Sequence, residues 1–157
     1  MKKITAEIKI EYRFDSEHKG ACYTLDGIHW MNLGEFAEII TKLVLGFEPK
    51  KDGNTPYNEG SDIEEINASV KSSRFTLVNK KLAETFEESI IEYFRTVHST
   101  VWIYTVVIEK EATLYIMNKE EFESFLYRFS SLNERGVIRA KTTSTKMIQW
   151  LEERAGE

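Results

Sequence analysis

The chain has 157 residues, 41% of them apolar and 30% charged, with a formal charge of −5. That length suits one domain that buries a core without staples, so 1–157 is read as a single unit. The aromatic content of 12% excludes a disordered chain, and the acidity excludes binding to nucleic acid through global charge alone. Cys22 is the one cysteine, which rules out an internal disulfide. His18, His29 and His98 lack ligand spacing and read as ordinary surface or core residues. No apolar run has the length of a membrane span, and the Met1-Lys2-Lys3-Ile4 start lacks the apolar region of a signal peptide. The expectation is a cytoplasmic protein with no membrane partner.

Residues 4–14 alternate, with Ile4, Ala6, Ile8, Ile10, Tyr12 and Phe14 on one parity. Period two predicts a strand with one wet face. Asp15 to Gly20 reads as a turn, and 21–30 as the partner of an N-terminal β-hairpin within 1–31. Asn32 caps a predicted helix whose stripe is Leu33, Phe36, Ala37, Ile40, Leu43 and Val44, and Gly46 stops it. On that helix Glu38 and Lys42 stand four apart, which an ordinary surface ion pair explains.

The stretch 47–61, with Pro49, Gly53, Pro56 and Gly60, reads as a loop, and 62–78 as β structure. A helix capped by Asn79 is expected over 80–97. Val101 to Ile108 is apolar on both parities, as in a strand covered on both faces. Thr113 to Met117 gives another strand, and Asn118 caps a helix over 119–129. A short extended piece at 137–140 precedes a last helix near 144–154. The fold class is therefore α/β, a mixed sheet flanked by helices.

The stretch that suggests chemistry is Asp62-Ile-Glu-Glu-Ile-Asn-Ala-Ser69-Val-Lys71-Ser72-Ser73-Arg74. A helix precedes it, and a helix and a buried strand follow. Asp62 before Val70-Lys71-Ser72 resembles the PD-(D/E)xK nuclease superfamily, the restriction-endonuclease-like fold. The resemblance covers about 32–117. It implies an α-β-β-β-α-β core there, with an N-terminal hairpin at 1–31 and a helical extension at 118–157. It also implies that Asp62 and Lys71 are catalytic, that Asp62 holds Mg²⁺, and that Ser69, Ser72, Ser73 and Arg74 meet phosphate.

Two departures stand out. Ser61 replaces the usual proline, and Ser69 occupies the place of the second carboxylate. That leaves either an inactive site or a migrated acid. In one restriction-enzyme branch the acid comes from the following helix, where Glu84 and Glu87 are the candidates here. Some members use a glutamate of the first helix, where Glu35 and Glu38 are available. A straight strand over 62–71 would hold Asp62 and Lys71 about 30 Å apart on opposite faces, so the chain must fold back between them, near Asn67.

The chemistry fits such a set. Mg²⁺ takes oxygen ligands and keeps several waters, and a lysine can stabilise charge on the phosphate in flight. The resulting expectation is a Mg²⁺-dependent DNA endonuclease or an inactive relative, with a homodimer suggested by the resemblance. The rival is a non-catalytic accessory or interaction domain of a phage or mobile element. A small-molecule sensor ranks behind both, because no glycine-rich phosphate loop occurs. A positive cluster, Arg135, Arg139, Lys141 and Lys146, lies near the C-terminus. It reads as a solvated face or as a contact for a phosphate backbone.

Overall fold

The structure is a computed structural model that describes residues 1–15, 20–48, 62–79 and 81–155. The expected turn around 16–19, His18, and most of the expected loop, 49–61, lie outside the described residues. Helix α1 spans Leu33–Leu45. Asn32 accepts the Glu35 amide at its start, and Gly46 ends it at φ 86°. That left-handed conformation costs glycine nothing.

The main sheet has four strands. They are β1 (Lys2–Glu7), β4 (Ala68–Lys71), β6 (Val101–Ile108) and β7 (Glu111–Met117), in the order β1-β7-β6-β4. β4 runs parallel to β6, and the other pairings are antiparallel. A parallel pair needs a long crossover. Here the chain supplies it with β5 (Thr76–Leu77) and helix α2 (Phe86–Thr96). Strands β2 (Glu11–Asp15) and β3 (Gly20–Thr24) form a separate two-stranded ribbon. Strands β8 (Ser130–Leu132) and β9 (Ile138–Ala140) join β5 in a third sheet ordered β5-β9-β8. Helices α3 (Lys119–Phe129) and α4 (Ser144–Ala155) complete the α/β fold.

β6 explains the layering. Trp102 and Tyr104 face α2, α3 and α4, where Ile90, Tyr93, Phe122, Phe125, Met147 and Leu151 pack around them. Ile103 faces α1 with Ala37, Ala68, Val70 and Leu114. The rings of Trp102 and Phe122 stack with centroids 5.2 Å apart. Each such fully buried side chain contributes about 1.5–3 kcal/mol. Thr105, also turned toward α1, satisfies its hydroxyl against Thr41 at 2.6 Å, as a buried polar group must.

Three expectations shift. Residues 4–14 are two strands in different sheets, because β1 pairs with β7 and only β2 joins β3. α2 starts at Phe86 under a Thr85 cap rather than at residue 80 under Asn79. Asn79 instead donates its side-chain amide to the Ser89 carbonyl at 2.9 Å. The expected helical extension at 118–157 also carries β8 and β9, which tie it to β5. The coarse class stands as mixed α/β.

Candidate functional site

The chain does fold back between Asp62 and Lys71. Ile63 and Ala68 exchange both backbone hydrogen bonds at 3.0 Å. Between them lies a single 3-10 turn, Glu64–Ile66, closed by Asn67 at φ 50°. Asparagine tolerates that left-handed state better than other non-glycine residues. The Asn67 carbonyl accepts the Thr100 amide at 2.8 Å, which fastens the turn beside the start of β6. The outcome is local. Asp62 Oδ2 accepts the Val70 amide at 2.7 Å, which puts the carboxylate alongside β4, an edge strand of the main sheet, one residue short of Lys71.

α1 brings Glu38 to the same place. Its side chain is half-buried and hydrogen-bonded to Asp62. Burial, then the Asp62 charge and that hydrogen bond, raise the Glu38 carboxyl to about 7, against the opposite pull of Lys42 and Lys71. Lys71 is pushed down by burial, while Asp62 and Glu38 hold its charge in place. Two acids and one amine therefore share one site. The pairing of Glu38 with Lys42 alone understates this, since Asp62 acts on Glu38 more strongly than Lys42 does.

A cavity of ≈ 390 Å³ opens over this group, and Glu38, Lys71, Ser72, Ser73 and Arg74 line it. The Ser73 carbonyl is fixed by the Tyr104 hydroxyl at 2.9 Å. Ser69 does not join them. It is buried, and its hydroxyl meets Ser99 Oγ at 2.5 Å. Ser69 shares its β4 face with Lys71 two residues on, but its hydroxyl is taken up by Ser99 and it does not line the cavity with Ser72, Ser73 and Arg74.

The two glutamates expected from the following helix are elsewhere. Glu84 lies exposed ahead of α2. Glu87 is exposed in the first turn of α2, where it acts on Tyr127 of α3. Neither is among the groups that shift Glu38 or Lys71. Glu35 serves the α1 cap, with Asn32 Nδ2 donating to Glu35 Oε1 at 3.4 Å.

Tyr93 is a participant that its place in the α2 stripe conceals. Its hydroxyl accepts the Trp102 Nε1 proton at 2.9 Å. It also engages Ser69 and feels the Asp62 charge, and burial raises its pKa most of all. A tyrosine at helical spacing reads as core, and only the tertiary fold sets its hydroxyl behind the acid.

The donor set bears on a metal. Among the described residues, no group of three or more His, Cys, Asp and Glu side chains gathers. Asp62 and Glu38 form a pair, and Mg²⁺ commonly uses one or two carboxylates with water and substrate phosphate completing its shell. The pair fits that mode and does not fit an all-protein cage. Among the described residues, no helix is long and apolar enough to cross a membrane. No family model, curated protein or solved structure matches the chain.

Proposed function

We propose that the protein is a Mg²⁺-dependent DNA endonuclease in which Asp62 and Glu38 hold the cation and Lys71 acts at the scissile phosphate. The observation that supports this reading is the fold-back at Asn67, which sets Asp62 beside β4 and against Glu38, while Glu38 and Lys71 line one cavity. The missing carboxylate at Ser69 is then supplied by the first helix rather than the second. Mg²⁺ supplies Lewis-acid chemistry, polarising phosphate oxygens and lowering the pKa of water.

The chain's own residues do the rest. Asp62 is oriented by the Val70 amide, so its remaining oxygen lone pairs have a fixed direction. Lys71, with its affinity for a proton weakened by burial, stabilises negative charge on the phosphate or steers the attacking water. Ser72, Ser73 and Arg74 line the cavity where the neighbouring phosphate would lie.

Plasmid nicking with Mg²⁺ or Mn²⁺ tests the reading. Lys71→Ala, Asp62→Asn and Glu38→Gln each lower the rate by about 10²-fold or more, while Glu84→Gln and Glu87→Gln cut like the wild type. Equal loss in Glu84→Gln and none in Glu38→Gln would return the acid to the second helix. A non-catalytic interaction domain is the second reading. The buried Ser69–Ser99 hydroxyl pair favours it, because it stands where the superfamily resemblance asks for an acid. Absence of nicking across metals and substrates decides for it.

A further inference from the structure

The sheet β5-β9-β8 has one face in the core and one in water. Leu77, Ile138 and Ala140 point inward, and Thr76, Arg139 and Ser131 point outward. The register sets these three outward residues side by side, with Arg139 opposite Thr76 on one flank and opposite Ser131 on the other. The ladder continues past β9. The Ala140 amide donates to the Phe75 carbonyl at 3.2 Å, and the Lys141 amide to the Phe129 carbonyl at 2.8 Å. Arg74 and Lys141, both exposed, each lie one residue beyond that Phe75–Ala140 hydrogen bond. Arg74 and Thr76 also line the cavity over Lys71.

One exposed cation, Arg139, therefore stands on the wet sheet face between two hydroxyl side chains, two more, Arg74 and Lys141, stand at its edge, and none of the three strands contains an acid. For a chain with a net charge of −5, this is a local reversal of sign at the edge of the candidate site. We infer that the outer face of β5-β9-β8 is a docking surface for the phosphodiester backbone of DNA, with Arg74, Arg139 and Lys141 neutralising successive phosphates and leading the strand toward Lys71. Charge complementarity and continuity with the cavity select this occupant. Arginine and lysine pair with phosphate oxygens, and serine and threonine hydroxyls donate to them. The inference rests on the endonuclease reading for its direction toward Lys71, but binding itself needs neither metal nor cleavage.

The experiment is fluorescence anisotropy of a labelled DNA duplex with the full chain in EDTA, beside plasmid nicking with Mg²⁺. Three neutralised phosphates give a log–log salt slope near −3, or ~40-fold weaker binding between about 50 and about 200 mM salt. Arg139→Glu with Lys141→Glu weakens binding by about tenfold or more and flattens the slope. Lys110→Glu, in the β6–β7 turn, carries the same type of charge change and leaves binding intact. Circular dichroism confirms folding, since the substituted side chains are exposed. Unchanged affinity in the double variant, or no binding by the wild type, overturns the docking surface. Binding that depends on Arg139 and Lys141 without nicking under any metal keeps the surface and removes the endonuclease reading. Nicking that ignores the double substitution does the reverse.

Discussion

Glu38 has a carboxyl group lifted from 4.5 to about 7, chiefly by burial and then by Asp62. The folded protein therefore keeps a proton there over a range where the unfolded chain has released it. Stability falls as pH rises from about 4.5 to about 7 and levels above, where both states are ionised. Glu38→Gln removes this slope. Urea unfolding at stepped pH in metal-free buffer shows the wild type losing about 1–3 kcal/mol relative to the variant across that window. Parallel pH profiles would refute the raised carboxyl assigned to Glu38. Under the proposed Mg²⁺ site, saturating Mg²⁺ is expected to flatten the wild-type slope, because a bound cation favours ionised carboxylates. Asn67 governs the same site from the backbone. At φ 50°, Asn67→Gly is close to neutral, whereas Asn67→Val costs about 1–2 kcal/mol through its β-branched side chain. Thermal melts measure the pair, and a valine variant as stable as the glycine one would show that the turn relaxes.

At the scale of elements, α3 is the simplest case. Asn118 accepts the Glu121 amide at 2.8 Å and Glu121 accepts the Asn118 amide at 3.0 Å. This capping box makes Asn118→Ala lose about 1 kcal/mol, read as a shifted urea midpoint with an unchanged slope. Such reciprocal signals lie within four residues, so α1 and α3 were legible from caps and stripes, and β6 from its two-sided apolarity. The break between β1 and β2 was not legible. Both strands alternate in phase, and a period-two pattern carries no record of which partner the backbone bonds. β8 was hidden because three residues, Ser130–Leu132, are too few for periodicity. Its hairpin to β9 depends on the Asn133 side chain accepting the Arg135 and Val137 amides, both at 2.9 Å, and on Gly136 at φ 75°. At the candidate site, the return of the chain near Asn67 followed from a distance argument, but the choice of Glu38 over Glu84 and Glu87 did not. Which helix leans over an edge strand is decided by packing across the sheet, here by Ala37 against Ile63, Ala68 and Val70.

At the scale of the molecule, the three sheets differ in how they are held. β6 and β7 are central strands, covered by α1 on one side and by the aromatic cluster around Trp102 and Phe122 on the other. Beyond its own ladder the β2–β3 ribbon has one backbone bridge among the described residues, Tyr23 with Met31, and Tyr12 and Phe14 remain 62% and 77% exposed. It is attached through Tyr23, stacked on Phe36 of α1 with centroids 5.1 Å apart, and through Ile8 and Ile10 beneath. A two-stranded ribbon is marginal by itself, so its opening free energy is set by that apolar seam, the Tyr23–Met31 bridge and the Arg13–Trp30 contact rather than by the global core. Native-state hydrogen exchange is then expected to resolve two levels. The amides of Ile103 and Tyr104 exchange only through global unfolding and follow the denaturant dependence of the whole protein. The amides of Arg13 and Cys22, paired within the ribbon, exchange at least ~100-fold faster with little denaturant dependence. Phe36→Ala opens a cavity under the ribbon and raises its exchange further, at a global cost of about 3–5 kcal/mol. Equal protection in both places would mean that the ribbon and the main sheet unfold as one unit. If the ribbon opens alone, the acid pair beneath α1 stays assembled while it does so, because Glu38 is held from the β4 side by Asp62 and Lys71 rather than from the Phe36 seam.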